Sequence, residues 1–121
     1  MRTSQNAILR ARRKRFAGMV EEAVRSLHPS VQAALRNVAI TVEDSPSEEA
    51  DHVGLYEGIP QSERESGSAL LPDRIVIYRM PMEESAVSVA DLREQIRITV
   101  LHEIGHHFGL DEEQLDAIGL A

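Results

Sequence analysis

The chain has five histidines in 121 residues, and three of them fall in the six-residue stretch His102-Glu103-Ile104-Gly105-His106-His107. On a helix, residues four apart lie one turn apart on the same face. His102 and His106 can therefore aim two imidazoles at one point, and neutral imidazole is a good ligand for zinc. Glu103 is offset by about 100° around the axis, which keeps its carboxylate beside such an ion rather than on it. From there it can take a proton from a water that the ion activates and hand it to a leaving amine. Gly109 stands three residues after His106, where it can end the helix and turn the chain back, and Glu112 stands three further on. That spacing favours Glu112 as the third ligand, with Asp111 as the alternative and Asp116 nearby. The expected site is a Zn2+ ion held by His102, His106 and one acid, with an open position and Glu103 as general base. Two histidines and one acid do not fill the four positions of a structural zinc.

The pattern His-Glu-x-x-His would arise in about 2 of 100 shuffled chains of this composition, so its helical setting has to carry part of the weight. The bland reading is a polar helix face shown to solvent. Gly105 speaks against it, because a glycine inside a helix costs about 1 kcal/mol relative to alanine; close approach of a strand or a substrate would account for it. His107, one step round from the ligand pair, is expected to orient a neighbour or to pack. His28 and His52 read as residues making local hydrogen bonds, although His52 could reach a cleft.

The element that must position the pair is a long helix. Leu92, Ile96, Val100, Ile104 and Phe108 form an i, i+4 stripe, which Ile98 and Leu101 widen. Asp91 with Glu94 is a candidate capping box, and Gly109 fits the left-handed position that closes a helix. Residues 111–118 read as a short terminal helix. Upstream, Phe16, Val20, Ala23, Val24 and Leu27 repeat with helical period. His28-Pro29 closes that helix, and Pro29 can start a short second one through about Arg36. Residues 37–44 alternate as a strand, 52–58 as a weaker one with two glycines, and 73–79 as the clearest, ended by Pro81. Residues 59–72, rich in Ser, Gly, Glu and Pro, read as an exposed loop.

Composition bounds the rest. The length fits one small domain, here residues 16–121, preceded by a basic arm or helix extension over residues 1–15. Those 15 residues hold six bases and no acid, leaving seven bases against all 20 acids in the remainder, a balance of −13. An acidic body argues against broad nucleic-acid binding. The absence of cysteine excludes disulfides and thiolate metal sites. No apolar run approaches the roughly 20 residues of a membrane span, and no signal peptide is visible, so the default location is the cytoplasm.

Residues 71–84, "LPDRIVIYRMPMEE", together with 99–115, "TVLHEIGHHFGLDEEQL", resemble the small zincin-like metallopeptidases of bacteria. Residues 37–46, "NVAITVEDSP", and 54–60, "GLYEGIP", are similar to further segments of that family, so the resemblance runs over roughly residues 16–119. It implies an α+β class and a reduced zincin-like fold: a small mixed sheet of about three strands packed on helices, with the motif on a long helix in the C-terminal half. The family commonly has aspartate as the third ligand, where this chain has Glu112 and, one earlier, Asp111. The resemblance also implies that an extended substrate lies along an exposed sheet edge. Residues 73–79 are the candidate edge, with Ile75, Val76, Ile77 and Tyr78 as substrate-contacting residues. Tyr56 or Tyr78 could donate to a developing oxyanion, although an ordinary half-buried strand tyrosine is the favoured reading of each. Arg74 and Arg79 are expected in surface ion pairs, and Met80 and Met82 in core or loop packing.

The function expected from all this is a zinc-dependent peptidase acting on peptides or unfolded protein segments, with pairing of two copies compatible but not required. Two other classes compete. A metal-dependent endoribonuclease would draw on the basic arm, but it is opposed by the acidic body and the lack of a third ligand histidine. A catalytically silent zincin-like domain would hold zinc or a partner without turnover.

Overall fold

A computed structural model describes residues 2–46, 53–58 and 73–117. Among them are five helices and one three-stranded sheet: α1 (Arg2–Arg25), α2 (Pro29–Ala34), β1 (Val38–Glu43), β2 (Gly54–Glu57), β3 (Asp73–Tyr78), α3 (Arg79–Ser85), α4 (Val89–His107) and α5 (Glu112–Ala117). The class is α+β, as the sequence implied. The loop expected over residues 59–72, and His52, lie outside the described residues.

The basic N-terminal segment is the first half of α1. Its residues have no apolar stripe, and most of them are exposed, but they are good helix formers. The second half docks through Phe16, Met19 and Val20, which join Ile75 and Ile77 of β3 and Leu92, Ile96, Val100 and Ile104 of α4 in the core. Arg13 pairs with Asp44 just beyond β1, with its Nε 3.2 Å from Oδ1, and Arg15 approaches Glu83 at 3.9 Å.

The sheet order is β1-β3-β2. β1 runs parallel to β3, with Val38 opposite Asp73 and Glu43 opposite Tyr78. β2 runs antiparallel, with Gly54 opposite Ile77 and Glu57 opposite Arg74. This corrects the expectation that 73–79 is an exposed edge. β3 is the central strand, paired on both sides, and Ile75, Val76, Ile77 and Tyr78 are all buried. Two of its residues, Ile75 and Ile77, belong to the core shared with α4, and a strand so apolar is stable in the middle of a sheet, not at its rim. Among the described strands the edges are β1 and β2.

Two boundaries also move. The helix after β3 starts at Arg79, whose guanidinium is buried between Asp44 and Glu83; it is not a surface pair. Met82 of that helix is fully buried, whereas Met80 is exposed. The cap of α4 is Ser88, three residues before the expected Asp91: Ser88 Oγ accepts from Asp91 N at 3.0 Å, and Asp91 Oδ2 accepts from Val87 N at 3.0 Å. Asp91 therefore sits inside the first turn, where an acid also suits the helix dipole.

A candidate metal centre at the end of α4

α4 ends as its glycine requires. Gly109 has φ +88°, Leu110 N donates to Gly105 O at 2.9 Å, and Gly109 N donates to His106 O at 2.9 Å. This pair of bonds is the Schellman closure. It turns the chain back, and Asp111 then starts α5: Asp111 Oδ1 accepts from Gln114 N, and Gln114 Oε1 accepts from Asp111 N, both at 2.8 Å. Asp111, weighed above as an alternative ligand, is thus committed to capping α5.

The turn brings Glu112 over the histidine pair. His102 Nε2 and His106 Nε2 lie 3.1 Å apart, and Glu112 Oε1 is 3.2 Å from the first and 2.9 Å from the second. Donors on a tetrahedral zinc, with bonds of about 2.0–2.1 Å, would stand about 3.3–3.4 Å from one another. The observed triangle is a little tighter than that. His106 is also oriented from behind: its Nδ1 is 3.0 Å from Leu110 O. A carbonyl can only accept, so Nδ1 carries the proton, and in the neutral ring Nε2 presents a lone pair to the triangle. Two imidazoles and a carboxylate converging in this way match the donor chemistry of a catalytic zinc. The Glu112 side chain is 67% exposed, so the triangle opens to solvent on that side.

Glu103 stands outside the triangle. Its Oε2 is 3.9 Å from His102 Nε2, and the residue is buried. One wall of its seat is Gly54 of β2. A Cβ on that glycine would lie 2.8 Å from Thr99 Cγ2 and 3.2 Å from Glu103 Oε2. Only a glycine lets the strand come this close to α4 without a shift.

Gly105 has a different explanation from the one expected. Its close neighbour is neither a strand nor a substrate but Leu115 of α5, whose Cδ2 would be 2.4 Å from an added Cβ. Leu115 is fully buried there.

His107 takes no part in the triangle. It is buried, and its Nδ1 lies 2.8 Å from Asp73 Oδ2 at the start of β3. The same carboxylate oxygen accepts the phenol proton of Tyr56 at 2.5 Å. Tyr56 is thereby turned to Asp73, which leaves no support for an oxyanion role. Tyr78 is buried at the end of β3, and that burial holds its phenol above the usual tyrosine range, with nearby Glu43 and Glu57 pushing the same way. The Tyr56–Asp73–His107 chain escaped sequence reasoning because Asp73 and His107 are 34 residues apart. The one available hint was a histidine on the sheet-facing side of an apolar helix.

No curated protein matches the sequence. The family model for zincin-like metallopeptidases matches residues 35–120, well over half of the chain. That span takes in β1, β2, β3 and α4 together with the histidine pair, Glu103 and Glu112, and the chain belongs to the zincin-like metallopeptidase family.

Proposed function

We propose that this protein is a zinc-dependent peptidase in which His102, His106 and Glu112 hold the ion and Glu103 is the general base. Zinc in such a site acts as a Lewis acid and lowers the pKa of water to about 7. Glu103 Oε2 accepts the proton of the attacking water and returns it to the leaving amine. Its position supports this role: it is close enough to the ligand pair to share a water with it, yet it stays outside the donor triangle. Gly54 lies against one side of that carboxylate, and Glu103 is buried. The substrate backbone is taken up along β2, which is an edge among the described strands, in place of the enclosed β3.

The observation that carries the reading is the convergence of His102, His106 and Glu112, whose metal-facing atoms stand 3.2, 3.1 and 2.9 Å from one another, with Glu103 left beside them. The endoribonuclease reading loses part of its basis, because Arg13 and Arg15 are engaged with Asp44 and Glu83 of the same chain. The test is zinc content of the purified protein followed by cleavage of an unstructured peptide library, with an RNA substrate run alongside. Glu103→Gln should keep zinc and lose turnover, whereas His106→Ala should lose both. Peptide cleavage surviving in Glu103→Gln would remove the general base from this account, and cleavage of RNA alone would replace the peptidase reading.

A further inference from the structure

β2 reaches α4 at two places. Gly54 lies against Thr99 and Glu103. Two residues on, on the same face of the strand, Tyr56 donates to Asp73, which is also bonded to His107 of α4. The second contact is buried and polar, and it joins three elements through one carboxylate oxygen: β2 by Tyr56, β3 by Asp73 and the last turn of α4 by His107. The rings of Tyr56 and His107 meet edge to face, with centroids 5.8 Å apart. His107 Nε2 has no hydrogen-bond partner among the described residues, so that ring is held through its Nδ1 side. A polar chain of this kind fixes position better than apolar packing does, because each bond has a direction and a buried carboxylate left without donors is costly. Gly58, where the chain leaves β2, closes over the same group: a Cβ there would fall 2.4 Å from Asp73 Oδ1.

We infer that Tyr56, Asp73 and His107 are positioning residues that set how β2 seats on α4, and thereby hold Glu103 in its place beside the histidine pair. None of the three belongs to the donor triangle. The triangle is assembled by α4, the Gly109 turn and α5, with His106 oriented by Leu110. Seating of β2 and assembly of the donors are therefore separable, and a variant can disturb the first while leaving the second intact. The inference that this seating serves catalysis rests on the peptidase reading above; the mechanical part does not.

The experiment compares Tyr56→Phe, His107→Asn and Gly54→Ala with the unaltered protein. Tyr56→Phe removes one bond to Asp73, His107→Asn keeps a donor near the position of Nδ1, and Gly54→Ala disturbs the seat without touching the hydrogen bonds. Three quantities are read: zinc affinity by chelator competition, amide exchange at Leu55, Tyr56 and Glu57, and kcat and KM on a peptide substrate. Tyr56→Phe and Gly54→Ala should lower kcat by about 10–100-fold with zinc affinity unchanged. Exchange in β2 should rise in Tyr56→Phe, and His107→Asn should fall between that variant and the unaltered protein. Unaltered kcat and unaltered exchange in Tyr56→Phe would overturn the inference. So would a loss of zinc affinity in step with kcat, which is the mark of general loosening. Should Tyr56→Phe fail to fold, Gly54→Ala and His107→Asn decide by the same readings. Should the unaltered protein bind zinc and cleave no peptide, the peptidase reading alone fails, and exchange in β2 decides whether the three residues set its seat.

Discussion

Leu115 of α5 sits directly on the backbone of Gly105 in α4, so close that a methyl group on the glycine would lie 2.4 Å from Leu115 Cδ2. Glu112 is one turn before Leu115 on the same short helix. Six residues cannot hold a helix in water by themselves, so α5 depends on that docking, on the Asp111 cap and on whatever Glu112 binds. The third member of the donor triangle is thus placed by a leucine and a glycine that carry no chemistry of their own. Gly105→Ala should push α5 off its seat and weaken zinc binding by about 10–100-fold, the usual scale for groups that orient ligands. Leu115→Ala should destabilise the protein by about 2–5 kcal/mol, as for other fully buried leucines. Chelator competition and thermal melting measure both, and wild-type zinc affinity in Gly105→Ala would detach α5 from the site.

The two neighbouring acids should separate cleanly. Glu112→Gln removes the charged oxygen that faces both histidines and is expected to lower zinc affinity sharply. Asp111→Ala removes the α5 cap at a cost of about 1 kcal/mol, with a smaller effect on zinc. Titrating both variants with zinc while following the melt assigns the third ligand. A larger zinc loss in Asp111→Ala would reverse the assignment.

Removal of metal should be felt first in α5. With free zinc at 100 times its dissociation constant, binding to the folded state adds about 2.7 kcal/mol, and chelation should lower the melting midpoint accordingly. Amides of residues 110–117 should exchange faster after chelation, while those of Leu92–Val100, in the buried part of α4, should hardly change. Equal protection of α5 with and without zinc would show that Leu115 and the cap suffice.

Stability should fall on the acid side partly through Asp44. The hydrogen bond from Arg13, with a further one from Arg79, holds the Asp44 carboxyl below its usual pKa against a smaller opposing effect of burial. A carboxyl lowered in the folded state contributes stability that is complete above its unfolded pKa of about 3.9. The contribution is lost as pH falls through the lower folded value. Asp44→Asn should therefore be less stable than the unaltered protein at pH 7, and the gap should close as the pH drops below 4. Urea titrations between pH 2 and 7 would show it; a gap independent of pH would assign the loss to packing around Arg79.

Among the described residues, no helix is long and apolar enough to cross a membrane.

What could be read from the chain alone was whatever the backbone decides over a turn or two. The i, i+4 pairing of His102 and His106, the offset of Glu103, the left-handed Gly109 and the return to Glu112 all follow from helix geometry and a cap, and the structure brings those side chains together. Strand order could not be read the same way. Residues 73–78 look alike as an edge or a centre until β1 and β2 choose to flank them, and that choice depends on which apolar faces are buried together. The close neighbour of Gly105 and the bonding of His107 to Asp73 were hidden for the same reason. Each joins elements distant in sequence, and their meeting is fixed by packing of the whole core, which no local pattern records.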